Sequence, residues 1–396
     1  MKILWIKTDF LHPTTGGGQI RTLAMLQRLH RDHEVHYVAF DNAESPEGRE
    51  RASEYSTRAY PVPHVVPDKE TPAFIPQLIG GLTSSLPVAV TRFRSPAMKS
   101  QIAELTSRIR FDAIVCDFLF PAPNVPDLSQ AVLFQHNVEA VIWKRRTDHA
   151  PTPLHRWYIG LQYKRMLAYE KEVCRRVRRV IAVSLADAAT FKHDYSVKDV
   201  RSVQTGVDLD YFRPPPNPPA RKADLLFLGS MDWMPNVDGI KWFVSDVLPL
   251  IHAKRPQTTL ALVGRKPTAE ILALARRDSR IVVSGTVPDV RPWLHGSTVS
   301  IVPLRIGGGT RLKIYEAVAA RVPVVSTTIG AEGLAATNGV HIRLEDSPER
   351  LAACCLELLD NESERRRLSE AAYDLVASKY SWDAVTAEFA QLLVTG

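Results

Sequence analysis

Short, continuous apolar runs recur along the chain. They alternate with stretches in which apolar residues return every three or four positions. Runs at residues 2–6, 34–40, 113–117, 131–135, 179–183 and 200–204 read as strands. Helical spacing at 19–29, 96–110 and 155–177 lies between them. The rhythm resumes with runs at 224–228, 259–263, 280–284, 299–302 and 322–326, and the pattern from Pro348 onward is helical. Strands without polar alternation, separated by helices, imply an α/β fold of parallel sheets covered on both faces. Residues 41–71 are polar and are expected to be irregular. Ser381 is placed to cap a last helix carrying Trp382, Val385, Phe389 and Leu392 on one face.

Five prolines in residues 214–219 interrupt the rhythm. They cannot enter the interior of a helix or sheet and form a stiff connector. With 396 residues exceeding an ordinary single core, this divides the chain into a first domain at 1–205, a linker at 206–220 and a second domain at 221–380. No run reaches the length needed to cross a bilayer, and the N-terminus enters a strand without the look of a signal peptide. The four cysteines lack metal-site spacing, and a reducing cytoplasm is expected.

The net charge of +7 is uneven. Residues 144–179 hold eleven Lys/Arg against three acids, interleaved with Trp143, Trp157, Tyr158 and other apolar residues. This basic amphipathic pattern suits an anionic membrane surface, and equally a solvated helix face. No nucleic-acid motif accompanies it.

Candidate chemistry sits at the ends of the apolar runs. Gly307, Gly308 and Gly309 precede a short helix, with Thr310, Arg311 and Lys313 around its start. Backbone N–H groups and the positive end of a helix favour an anion there, and a phosphate would offset the two cations. A second glycine run, Gly16 to Gly18, opens the helix at 19–29 but does not match a dinucleotide fingerprint. His136 follows the run at 131–135, where ligands of open α/β sheets bind. It is suited to accepting or relaying a proton or bonding a hydroxyl, or to a structural role at the strand end. Glu316 lies on the helix behind the Gly307–Gly309 loop, within reach of ribose hydroxyls or of a basic neighbour. Ser230 and Arg265 follow two other strand ends.

These residues together resemble the family-4 retaining glycosyltransferases of the GT-B fold, the exopolysaccharide-type sugar transferases above all. The matching strings are FLGSMDWMPNVDGIKWF, LVGRKP, GTVPDVRPWL, IVPLRIGGGTRLKIYEA and PVVSTTIGAEGL in the second half. QHNVEAVIWKR and SVQTGVDLDYFRP match in the first. The resemblance implies two Rossmann-like domains facing across a cleft, with the final helix at 381–396 packing back on the first. It implies transfer of a sugar from a nucleoside-diphosphate sugar to a glycan or lipid-linked acceptor, with retention, no metal and no further cofactor. His136 and Glu316 are the implied catalytic residues. Gly17, Gly18, Ser230, Arg265, Gly308, Gly309, Thr310, Arg311, Lys313 and Glu316 are the implied donor contacts. Two positions depart from the pattern: Gly308 stands where relatives carry a Glu, and Ser230 where many carry a basic residue. The implied setting is the cytoplasm, peripheral at the inner membrane, with nucleotide sugar as partner and no nucleic acid. A nucleotide-sugar epimerase or a non-catalytic sugar-nucleotide-binding scaffold would share these features.

Overall fold

The computed structural model describes residues 1–14, 17–41, 46–64, 80–82, 84–148, 150, 152–217, 219–306 and 312–394. The chain divides into two compact units. One joins Met1–Gln204 to Val385–Gly396, and the other is Thr205–Ala384.

The first unit is built on β1 (Lys2–Ile6), β2 (Glu34–Asp41), β3 (Arg58–Pro63), β4 (Ala113–Asp117), β5 (Ala131–Gln135), β6 (Arg179–Ala182) and β7 (Val200–Ser202). Their order in the sheet is β3-β2-β1-β4-β5-β6-β7, with every pair parallel. Ile3, Leu4, Trp5 and Ile6 are fully buried, as the unbroken apolar run requires. The chain winds outward from β1 through β2 and β3, then returns to place β4 on the other side of β1. The ends of β1 and β4 therefore flank the point where the winding reverses, which in open α/β sheets is where ligands bind. Helices α1 (Gly17–Asp32), α2 (Glu139–Asp148) and α3 (Pro153–Arg176) belong to this unit.

One expectation fails here. Residues 41–71 are not wholly irregular, because β3 extends the sheet beside β2 in register from His36↔Arg58 to Asp41↔Pro63. Pro61 and Pro63 masked the strand, yet an edge strand tolerates prolines whose missing N–H would face outward.

The second unit contains β8 (Ala223–Leu228), β9 (Leu260–Val263), β10 (Ile281–Gly285), β11 (Ser297–Val302), β12 (Val324–Ser326) and β13 (Arg343–Leu344), in the order β10-β9-β8-β11-β12-β13. All pairs are parallel. Its winding reverses between β8 and β11, so the segments after Leu228 and Val302 occupy the equivalent position. Helices α4 (Met234–Trp242) and α5 (Leu312–Ala319) follow those two strands. Residues ahead of the proline run already belong to this unit. The N–H of Val207 bonds the Tyr380 carbonyl at 2.8 Å, and Phe212 lies in the core.

The last helix, α6 (Trp382–Val394), starts with the Ser381 hydroxyl accepting from the Ala384 N–H at 3.2 Å. Within the first unit its Phe389 packs on Trp5 and Phe134, with ring centroids 5.7 and 4.9 Å away.

Candidate active site

In the first unit the strand ends converge on a buried carboxylate. Asp117, the last residue of β4, is fully buried. Its Oδ2 accepts from Trp5 Nε1 at 3.0 Å, Lys7 Nζ at 2.9 Å and Thr22 Oγ1 at 2.7 Å. Its Oδ1 is 2.8 Å from His136 Nε2. Burial by itself would raise the Asp117 pKa. Lys7, His136 and Thr22 outweigh it and hold the carboxyl below its usual range.

These partners settle the state of His136. Nε2 carries a hydrogen, because it faces an ionised carboxylate. Nδ1 lies 3.0 Å from the Arg21 guanidinium, which can only donate. Desolvation lowers the imidazole pKa to about 4 against the pull of Asp117, and Arg21 and Lys7 add to the lowering. Near neutral pH the ring is therefore uncharged, with both nitrogens engaged. This geometry suits a fixed, polarised group better than a proton relay.

Phe118 follows Asp117 with φ of +70°, in the left-handed region that disfavours any residue but glycine. Such strain costs on the order of 1–3 kcal/mol and collects at functional sites. Its ring stacks on His136 with centroids 4.0 Å apart, and Lys7 Nζ lies 4.5 Å from the ring centroid. Gly18, on the first turn of α1, is needed beside it, since a Cβ there would sit 2.8 Å from the Phe118 ring. Lys7, Asp9, Gly18, Gln19 and Phe118 line a cavity of about 350 Å³.

Behind this cluster Glu170 of α3 accepts from Gln135 Nε2 at 3.0 Å, from the N–H groups of Glu139 and Ala140 at 2.8 and 2.9 Å, and from the Tyr195 hydroxyl at 2.8 Å. A carboxylate at the start of α2 satisfies donors that the helix cannot. It fixes the turn that carries His136.

In the second unit Gly229 and Ser230 follow β8. Lys313 Nζ bonds Asn236 Oδ1 at 2.8 Å and lies 4.3 Å from the Phe227 ring centroid. Asn236 Nδ2 holds the Ser230 carbonyl at 2.7 Å. Arg265 Nε donates to Ser230 Oγ at 3.1 Å, and that hydroxyl bonds Asp232. The structure thus joins Ser230, Arg265, Asn236 and Lys313 in one connected cluster. Gly264 permits the close approach of β8 and β9, because a Cβ there would lie 1.8 Å from the Gly229 carbonyl oxygen.

Glu316 is on α5, partly exposed, and among the described residues its carboxylate makes no hydrogen bond. Desolvation raises its pKa, and Lys313 opposes that. Gly308, Gly309, Thr310 and Arg311 lie outside the described residues. Gly17 and Gly18 are described, at the start of α1.

The basic segment 144–179 is two helices, α2 and α3, and its charges are not equivalent. Lys144, Arg145, Arg146 and Arg156 are exposed. The arginines at the end of α3 and beyond are tied to the protein. Arg175 donates to the Tyr195 carbonyl at 2.8 Å, and Arg176 pairs with Glu172 at 3.1 Å. Arg178 and Arg179 bond the Leu393 and Leu392 carbonyls, and Arg179 also pairs with Asp199 at 2.7 Å. At the C-terminal end of the segment the arginines thus also make contacts within the protein. Among the described residues no helix is long and apolar enough to cross a membrane, and no group of His, Cys, Asp and Glu could hold a metal ion.

Two family descriptions match the chain. "Glycosyltransferase Family 4" covers residues 15–211 and "Glycosyl transferases group 1" covers 222–361. The chain belongs to the glycosyltransferases. This glycosyltransferase is 29% identical over 200 residues to the lipopolysaccharide core biosynthesis mannosyltransferase LpcC of Rhizobium leguminosarum bv. viciae. That match spans 45% of this chain and 53% of the relative. Sucrose-phosphate synthase from Thermosynechococcus elongatus superposes with a TM-score of 0.67 at 17% identity, covering 99% of this chain and 98% of that one. Anabaena HepE, solved in complex with UDP-glucose, gives 0.60 at 14% identity, covering 99% of both. The likeness establishes the GT-B fold, with two Rossmann-like units of parallel sheet.

Sequence reasoning about this glycosyltransferase singled out His136 and did not mark the residues that surround it. Asp117, Lys7 and Phe118 carried one available signal, a charged residue closing each of two apolar runs. Nothing in the order Cys-Asp-Phe foretells the positive φ of Phe118.

Proposed function

We propose that the chain moves a sugar from a nucleoside-diphosphate sugar to a glycan or lipid-linked acceptor of a surface polysaccharide. The transfer proceeds with retention at the anomeric carbon and without a metal or other cofactor. The observation that carries the reading is Glu316. It is a partly exposed carboxylate, unbonded among the described residues, on the helix α5 that also carries Lys313 of the Lys313–Asn236–Ser230–Arg265 cluster. In this reading Glu316 accepts hydrogen bonds from the donor ribose. Lys313, Arg265 and Ser230 face the diphosphate, and Gly308, Gly309, Thr310 and Arg311 are assigned to it from sequence alone, as are Gly17 and Gly18. His136, neutral and held by Asp117, presents a fixed dipole near the reacting centre. Catalysis then rests on orientation and on stabilising the leaving diphosphate rather than on a protein base.

The UDP-glucose complex of HepE supports a nucleotide-sugar donor, and the name of LpcC supports a surface-glycan acceptor. The protein works in the cytoplasm, peripheral at the inner membrane face. A thermal-shift panel of nucleotide sugars tests the donor, since a ligand that binds the native state alone raises the melting temperature. One donor should stabilise selectively, and Glu316→Gln should weaken that shift. A panel without any stabilising nucleotide sugar would sink the reading. The anomeric configuration of the product, read by NMR, tests retention. Activity lost to a chelator and restored by a divalent ion would overturn metal independence.

A further inference from the structure

A second, larger cavity lies within the first unit, about 780 Å³ in volume, a size typical of small-molecule sites. Val88, Ile142, Trp143, Trp157 and Tyr158 line it, so its wall is mainly apolar. Leu154 and Trp157, on its α3 side, leave 73% and 59% of their surface in solvent. Exposed Arg146 lines the same cavity, exposed Arg156 precedes Trp157 in the chain, and the Arg146 guanidinium lies 5.4 Å from the Trp143 ring centroid. The acid on the wall is Glu139, nearly buried, its carboxyl pushed up to about 7 by desolvation and by Glu170. Ala89, Arg92 and Phe120 line this cavity and also the smaller one beside Lys7, Gly18 and Phe118. The two spaces are therefore neighbours across a shared wall that contains an arginine.

We propose that the large cavity takes the hydrocarbon chain of a single-chain lipid phosphate. The phosphate lies at the shared wall by Arg92, with Arg146 on the same cavity, and the remainder of the head points into the smaller cavity beside Lys7, Asp9 and Phe118. The inference rests on the reading of this chain as a transferase with a lipid-linked acceptor, and it assigns that acceptor a place. Three features carry it: an apolar space of ligand size, cations at its mouth, and contiguity with the strand-end cluster. An amphiphile with an apolar tail and an anionic head meets all three. Exposed Leu154 and Trp157 among cations are what an interfacial helix presents to an anionic bilayer, the source of such a lipid.

The test uses the full chain and linear alkyl phosphates from octyl to tetradecyl, below their micelle concentrations, with binding read by calorimetry. Each buried methylene contributes about 0.8 kcal/mol, so affinity should rise roughly fourfold per added carbon until the cavity is filled. A bromine at the chain end should quench tryptophan fluorescence through Trp143 and Trp157. Ile142→Glu should abolish binding, and Arg146→Gln should weaken the alkyl phosphate while sparing an alkyl glucoside of equal length. Affinity independent of chain length, or no better than that of inorganic phosphate, would overturn the proposal. So would equal binding of the phosphate and the glucoside. The chain-length series on the unaltered protein stands even if Ile142→Glu fails to fold. Stabilisation by a nucleotide sugar is read separately, so failure here leaves the donor reading intact.

Discussion

Replacing Asp117 by Asn should cost this protein a large share of its stability, although the side chains are nearly the same shape. The carboxylate accepts from Trp5, Lys7, Thr22 and His136, with one oxygen serving the first three and the other serving the imidazole. Asn brings one oxygen and one NH₂ group. With its oxygen toward Lys7, the NH₂ meets the His136 Nε2–H, donor against donor. Moving the imidazole proton to Nδ1 gives no relief, because Arg21 already donates there at 3.0 Å. Lys7, its side chain 3% exposed, also loses its counter-charge. Breaking a buried pair by removing one partner costs about 3–5 kcal/mol, against a total of roughly 5–15 kcal/mol for a domain. Urea unfolding followed by tryptophan fluorescence should show a lower midpoint with the slope retained. Adding Lys7→Met should recover much of the loss, since no unpaired ammonium is then left behind. A loss below about 1 kcal/mol, or a double variant no better than the single, would refute the reasoning.

Further outcomes can be set beside it. The folded-state pKa of His136, about 4, lies below its usual 6.5. The ring therefore favours folding fully above pH 6.5, and this contribution of about 3 kcal/mol is lost as pH falls toward 4. The difference in urea midpoint between wild type and His136→Gln should shrink through that window, and a constant difference would count against the shift. Gly264→Ala forces a Cβ onto the Gly229 carbonyl, whereas Gly17→Ala meets nothing within 4 Å. The first should lower stability by about 3 kcal/mol or more and the second by less than about 1, in thermal melts. Neutralising Arg178 and Arg179 together should lower the melting temperature and leave vesicle co-sedimentation unchanged. Neutralising Lys144, Arg145, Arg146 and Arg156 should lower co-sedimentation instead.

The central strands were legible because burial on both faces demands unbroken apolar runs, and β4 and β5 fall on the residues their patterns mark. The edges were not. β3 carries Arg58 and two prolines, and β13 is two residues long, so neither repeats an apolar signature. Parallel pairing brought Lys7 together with Asp117 and His136, which lie more than a hundred residues further along the chain. Each residue reads singly as a polar strand end, and pairing geometry alone makes them one cluster. The same limit applies to the arginines near residue 179. Composition shows their charge, while only the path of α6 shows that they hold its carbonyls.

That path has a bearing on the order of biosynthesis. The first unit holds Val385–Gly396 as well as Met1–Gln204, and Phe389 closes over Trp5 and Phe134. Residues 385–394 are made only after all of Thr205–Ala384. The unit begun first on the ribosome therefore cannot seal its core until the second unit has been synthesised. Domains usually fold in the order they emerge, but here the earlier one waits for the later. A fragment cut at residue 204 would expose the Trp5–Phe134 face and leave Arg179 without its carbonyl partner. Supplying the α6 peptide in trans should be what turns that fragment into a soluble domain.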